Sequence, residues 1–303
     1  MDSKIIGACG LLNRMRFLSP SEVFRTAEGE ERFILVRKGR RVCASALCGP
    51  TRTGEGCFSA LRAEDEAALC CLTDRMREYL RSLGCRRIVG PIPAHHMGYG
   101  SGLVVRGFEG EPTLLEPDNG PKLPRLMEAC GWQKAQDLLD YRLKREDFDI
   151  RSIARAAERS RARYGYETIA LGEEGPRAVF EALSAILRET DTVDERALAR
   201  FVDRQARSLR LTQAVTREGR LCGVMTALAR KGQVRVMTLH VAGRDRNHAL
   251  PALLAEALYQ KLPPGIQWIQ AATIAEDNLP SRNWAERSGC RLHRVYRVYR
   301  TEN

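Results

Sequence analysis

Between Glu64 and Leu83, apolar residues fall at Ala68, Leu69, Leu72, Met76, Tyr79, Leu80 and Leu83. That spacing gathers them on one side of a helix, and Gly84 supplies its C-terminal cap. Ahead of it, Phe33–Val36, Val42–Leu47 and Gly56–Leu61 read as short strands, the first two joined by a turn at Gly39-Arg40. Ile88-Val89 is another strand, closed by Gly90-Pro91. The first thirty residues show no clear period. In the second half, helices are expected over 150–163, 176–188, 195–209, 251–262 and 279–288. A strand is expected at 167–171, and strands at 211–216, 221–229 and 234–241 form an antiparallel meander with turns at Gly219 and Gly232. Strands at 266–274 and 291–300 complete the series.

The pattern closes twice in the same way. Asp118-Asn119, a short helix to Glu128, Gly131-Trp132 and a strand to Leu143 match Asp277-Asn278, a helix to Glu286, Gly289-Cys290 and a strand to Arg300. A second echo sets Gly39-Arg40-Arg41-Val42-Cys43 against Gly219-Arg220-Leu221-Cys222-Gly223, each opening a strand. A repeated ending implies a repeated domain. The expected division is 1–148 and 149–303, and 303 residues suit two domains. Between Pro91 and Pro124 the pattern breaks. Six of the thirteen prolines lie there with His95, His96, Tyr99 and Phe108. This reads as an ordered loop lining a cleft, with a short strand at Leu103–Val105.

Composition adds bounds. A hydrophobic share of 44% and a charged share of 29% describe an ordinary globular chain. No apolar run is long enough to span a bilayer, and the Met1-Asp2-Ser3-Lys4 start has no apolar signal core, so a cytoplasmic protein without a membrane partner is expected. Ten cysteines with no Cys-x-x-Cys pair read as reduced, buried thiols, and with five histidines no metal site is expected. The net charge is +11, with 42 arginines against seven lysines. Arg151, Arg155 and Arg159 share one helix face, which suits either RNA or a solvated surface.

The meander, helix, strand, Asn-led helix and closing strand resemble the GNAT N-acetyltransferases. The residues that carry this are Val234–Val241, Arg246–Leu254, and Asp277-Asn278 through Gly289. Pro117–Pro121 through Gly131-Trp132 looks like the first copy in a tandem GNAT protein. Gly90-Pro91, Gly102-Leu103, Gly107-Phe108 and Asp137–Tyr141 resemble a bacterial group of two-domain GNAT-like proteins. The resemblance spans roughly residues 31–300. It implies an α/β chain of the α+β type, with two GNAT-like domains, each a mixed, mostly antiparallel twisted sheet flanked by helices.

It also implies acetyl-CoA or another acyl-CoA in the C-terminal domain. Leu239 and Val241 would offer backbone groups to the pantetheine arm. Arg244, Arg246, Asn247, His248 and Ala249 would form the pyrophosphate loop, where amides at a helix N-terminus favour anions. The GNAT loop pattern has glycine where Ala249 stands and a small residue where Pro251 stands. Leu61–Ala67, the matching place in the first half, has no glycine and implies a copy without cofactor. The proton-donating Tyr seven residues after the Asn is Ala285 here. His240 is the candidate base because histidine titrates near neutrality. Asn278 is a candidate catalytic residue and a helix cap. Tyr99 is an alternative acid, and His95, His96, Tyr99 and Asn119 are candidates for the acceptor cleft. Three functions compete: an N-acyltransferase acting on a small-molecule or peptide amine, a non-catalytic GNAT-like binding protein, and a Fem-like transferase using aminoacyl-tRNA. Oligomeric state is not readable.

Overall fold

The computed structural model describes residues 2–7, 31–51, 54–92, 100–188, 195–205 and 209–302. His95, His96 and Tyr99 lie outside these. The first stretch of strands is β1 Asp2–Gly7, β2 Arg32–Lys38, β3 Arg41–Pro50 and β4 Gly56–Ala63, followed by α1 Glu66–Ser82, β5 Arg87–Gly90 and β6 Leu103–Arg106. Then come α2 Lys122–Ala129, β7 Gln133–Lys144, α3 Ile150–Tyr164, β8 Glu167–Ile169, α4 Pro176–Arg188 and α5 Glu195–Gln205. The chain ends with β9 Gln213–Arg217, β10 Arg220–Arg230, β11 Gln233–Val241, α6 Leu250–Gln260, β12 Trp268–Ala275, α7 Leu279–Arg287 and β13 Arg291–Glu302. The meander, the Asn278-led closure and the helices over 66–82, 150–164, 176–188 and 250–260 stand close to where the hydrophobic pattern puts them, whereas α5 ends at Gln205 and a 3₁₀ turn follows at Leu209–Leu211. β1 is additional. No described helix is long and apolar enough to cross a membrane.

Contacts divide the chain into two compact units. The first holds Met1–Leu139, Ala275–Asp277 and Arg294–Asn303, and the second holds Asp140–Ile274 and Asn278–His293. A cut at 148/149 does not reproduce these units: β7 divides between them after Leu139, β13 divides before Arg294, and Ala275–Asp277 belongs to the first. In the first unit β1 to β4 pair antiparallel in chain order, and β4 runs parallel to β5. The chain's last strand completes that sheet. β13 pairs antiparallel with β5, from Tyr299↔Gly90 to Glu302↔Arg87, and also with β6. In the second unit the order is β12-β11-β10-β9-β8, with the end of β7 beyond β12. β8 to β11 pair antiparallel, and β11 and β12 run parallel.

Each unit has its own core. In the first, α1 lays Leu69, Leu72, Met76 and Leu80 against Ile34, Val36, Ala46, Phe58 and Trp132. In the second, Leu250, Leu253, Leu254 and Leu258 of α6 pack on Val215, Cys222, Met225 and Val234. Both helices are apolar on the sheet side because each crosses between two parallel strands and covers them. Not all cysteines are separate thiols. α1 and α2 bring Cys70 and Cys130 to a Cα–Cα distance of 5.6 Å, and the pair forms a disulfide. Sixty residues separate the two in sequence, so only the tertiary packing of the helices reveals it.

Candidate active site on the second unit

The site begins with a break in pairing. β11 and β12 are joined from Gln233↔Trp268 to Val236↔Ala271 and, among the described residues, no further. Two local features part them. Met237 is an extra residue on β11: Thr226 faces Thr238, and the next residue, Ala227, faces Val236. Such a bulge bends its strand and re-aims the residues beyond it. On β12, Thr273 has a left-handed φ of 57°. Met237–Val241 is therefore left without a strand partner on the β12 side. Leu239 and Val241 face α6 and its core. By alternation Thr238 and His240 face the other side of the sheet. His240 is half-buried, and burial lowers its pKa below the ordinary value of 6.5, so it is neutral at pH 7.

The next segment is a loop with exposed donors. A single 3₁₀ turn, Gly243–Asp245, is anchored by Ala242 N–H to the Cys222 carbonyl at 2.9 Å. Asn247 and Ala249 then take left-handed φ values of 68° and 57°. Ala249 directly precedes α6 and caps it without a side-chain bond. The backbone N–H groups of Arg246, Asn247, His248 and Ala249 line the loop that leads from this turn into α6. Loop amides around two left-handed residues at a helix N-terminus suit an anion, which makes this loop a candidate anion cradle. Arg244 and Arg246 are exposed beside it. Pro251 occupies the first turn of α6 and contributes no donor.

Alanine in place of glycine has not changed the loop's path, since Ala249 is held in the conformation glycine favours. A left-handed non-glycine residue is strained by roughly 1–2 kcal/mol. Ala249→Gly is therefore expected to stabilise the chain by about 1 kcal/mol after glycine's extra unfolded-state entropy is subtracted. A urea titration checks this. A loss of stability would mean that φ is not what limits the position.

A buried polar cluster holds the loop. Asp245 accepts two bonds from the Arg220 guanidinium, at 2.7 and 3.1 Å, and one from the Tyr166 hydroxyl at 2.9 Å. The Arg220 bonds hold the Asp245 carboxyl below its ordinary range, and burial with the nearby carboxylate pushes the Tyr166 phenol up to about 12. Tyr166 has one proton, and the carboxylate takes it. His248 Nδ1, 2.7 Å from the same oxygen, must then be the protonated nitrogen and donate. Tyr164 stacks on the His248 ring at 4.2 Å, and Ser160 donates to the His248 carbonyl at 2.5 Å. His248 therefore braces the loop with its side chain.

The first unit lacks this apparatus. β4 also carries an extra residue, near Ala60 with φ 51°, and its pairing with β5 covers only Gly56↔Ile88 and Cys57↔Val89. Only Glu64 and Asp65 connect it to α1. Asp65 caps that helix by accepting from Ala68 N–H at 2.8 Å. Glu64 pairs with Arg41, as Asp245 pairs with Arg220. Three carboxylates at one helix start (Glu64, Asp65 and Glu66) oppose an anion.

The two asparagines also differ. Asn278 caps α7 through Ser281 N–H at 3.2 Å. Asn119 does not cap α2, whose cap position is Pro121. Its side chain instead pairs with the edge of β6, accepting from Val104 N–H at 2.7 Å and donating to the Val104 carbonyl at 3.2 Å. Pro121 and Gly120 set the start of α2 later than an Asn119 cap requires. Asp118 receives the fully buried Arg294 at 2.9 Å. Ala285, at the place of the expected acid, is buried and lines an apolar cavity of about 60 Å³ with Val234, Val236, Tyr259 and Trp284. Sequence reading missed one phenol. Tyr141, on the part of β7 in the second unit, donates to Glu286 of α7 at 2.7 Å, and burial raises its pKa. The described residues contain no cluster able to hold a metal ion.

Parallel strands that part after a bulge, followed by an amide-lined loop and helix, are a fold-level signature, and the comparison with solved structures agrees. A tandem GNAT protein from the clavulanic acid biosynthesis pathway superposes with a TM-score of 0.59 at 15% identity, covering 99% of this chain and 98% of that one. The fold is GNAT-like. A GCN5-related N-acetyltransferase from Sphaerobacter thermophilus gives 0.55 at 14% identity, covering 98% and 89%. One from Kribbella flavida gives 0.55 at 12%, covering 99% and 72%. No protein-family model and no curated protein sequence matches the chain. The GNAT-like fold thus rests on geometry, and it locates the parted strands and amide loop without naming a substrate.

Proposed function

We propose that this chain is an N-acyltransferase that draws its acyl group from acetyl-CoA or a longer acyl-CoA held on the second unit. The observation that carries the reading is the parted β11 edge, Met237–Val241, leading directly into the Arg246–Ala249 loop with its two left-handed residues at the start of α6. The edge suits the amide groups of a pantetheine arm, and the cradle suits its phosphates. Acyl-CoA supplies a thioester: the amine nitrogen bonds to its carbonyl carbon, the carbon–sulfur bond breaks, and the departing sulfur takes up the proton the nitrogen releases. His240, neutral at pH 7, suits the removal of a proton from the incoming ammonium. We read the two units as duplicated GNAT domains. The first has no phosphate cradle and serves the acceptor amine, a small molecule or a peptide.

Thermal melting with acetyl-CoA tests the reading. A ligand at one hundred times its Kd adds about 2.7 kcal/mol, enough for an upward shift of several degrees. No shift with millimolar acetyl-CoA or a longer acyl-CoA would end the proposal. Turnover is expected to fall in acid with an apparent pKa below 6.5, because protonated His240 cannot accept a proton. A second reading, binding without catalysis, is favoured by the buried Ala285 methyl where GNAT enzymes place a phenol. Acyl-CoA binding without turnover on any amine would select it.

A further inference from the structure

The acyl-CoA reading leaves one feature of the second unit unused. Arg151, Arg155, Arg159 and Arg163 succeed one another at intervals of four along α3, and all are exposed. Among the described residues none of the four pairs with a carboxylate. Arg161, on the inner side of the same helix, does pair, with the buried Glu256. The stripe thus faces solvent by arrangement of the helix: Ala157 and Ser160 are buried against α6 while these four point away.

The stripe has a direction. Phe148, just ahead of α3, stacks on Tyr259 near the end of α6, while Ser160 and Tyr164 near the end of α3 touch His248 at the start of α6. α3 therefore runs antiparallel to α6, and its arginines lead to the anion cradle. Twelve residues of helix carry them over about 18 Å. With its pyrophosphate at the cradle, a CoA molecule would reach only the near end of the stripe with its separate 3′-phosphate, which leaves the far arginines without a partner. Arginine's fork matches carboxylates, and acidic residues three or four apart on a partner helix repeat at the same interval. No aromatic residue lies between Arg151 and Arg163, and the ring of Tyr164 just beyond is already stacked on His248, which disfavours single-stranded RNA. Pro251 withholds one donor from the cradle.

We propose that the physiological acyl donor is an acyl carrier protein. Its acidic helix docks on the Arg151-Arg155-Arg159-Arg163 stripe, and the single phosphate of its phosphopantetheine arm lies in the Arg246–Ala249 cradle. This rests on the acyltransferase reading and changes its donor. The transfer itself is balanced as before, with the thiol left on the carrier's arm.

The test measures binding of a fluorescently labelled, octanoylated acyl carrier protein at 50 and 300 mM salt. Arg151→Glu/Arg155→Glu/Arg159→Glu is compared with the corresponding triple glutamine variant and the wild type. The expected result is salt-sensitive binding, lost at least tenfold in the glutamate variant and less in the glutamine one. Acetyl-CoA affinity should stay within twofold, which also shows that both variants are folded. Equal carrier affinity in wild type and both variants overturns the proposal. So does tight binding of an RNA 20-mer in place of the carrier, or a parallel loss of acetyl-CoA. Acetyl-CoA binding without carrier binding refutes only the donor; an absence of both refutes the acyltransferase reading as well.

Discussion

Asp245→Ala is expected to cost about 3–5 kcal/mol and to loosen the anion cradle. The carboxylate is buried and satisfies two Arg220 nitrogens and the Tyr166 hydroxyl. Removing it leaves a guanidinium and a phenol that were positioned for an acceptor. Arg220 is about one-third exposed and recovers some hydration, which favours the lower end of the range. Tyr166 is buried and turns its proton toward His248 Nδ1, so the imidazole proton must move to Nε2. The effect depends on pH. Arg220 holds the folded-state pKa of Asp245 below its ordinary value of 3.8. A depressed carboxylate contributes in full above the unfolded-state pKa and loses its contribution as pH falls through the folded one. Urea unfolding at pH 7 should therefore separate wild type from Asp245→Ala more widely than unfolding near pH 3. A gap under 1 kcal/mol, or one that does not narrow in acid, would show that the cluster does not hold the loop.

That cluster marks the limit of what sequence makes legible. The bounds of α4 are local to the chain, since its buried Val179, Leu183, Ile186 and Leu187 lie on one face and Pro176 opens it. The meander is as local, because its turns carry Gly219 and Gly232 at φ 74° and 75°. Arg244 and Arg246 stand out as candidate phosphate ligands through the resemblance of their loop to the GNAT pattern. Asp245 between them reads as one more surface charge. Its partners arrive from Tyr166 and Arg220, far away in sequence, and only the sheet brings them together. The bulge at Met237 has no sequence mark, since any residue can occupy it. The division of β7 and β13 between the units is equally hidden. β7 and β13 are both twelve residues long, and each comes after a short helix and a left-handed glycine, Gly131 or Gly289. Nothing in such a strand says which sheet it closes.

The repeated Gly-x ending nevertheless locates a large aromatic of the first core. Trp132→Ala is expected to cost about 3–5 kcal/mol, the range for truncating a large buried aromatic. Trp132 is 3% exposed and stands edge-on to Phe58, with ring centroids 5.0 Å apart. Its indole N–H donates to the buried Thr73 hydroxyl of α1 at 3.1 Å. The substitution thus opens a cavity between α1 and β4 and strips Thr73 of its donor. Trp132→Phe separates the two effects: it keeps most of the packing and loses the bond, for about 1–3 kcal/mol. Amide hydrogen exchange identifies where the loss falls. Trp132 packs wholly within the core of the first unit, so α1, β3 and β4 should lose protection in both variants. α6, which packs in the other core, should keep its exchange rates under conditions where the second unit remains folded. Equal loss in α6 would mean that the two cores unfold as one cooperative body. In that case the cradle on the second unit would depend on the first through stability alone, and a mutation at Trp132 would weaken acetyl-CoA binding without touching any residue near it.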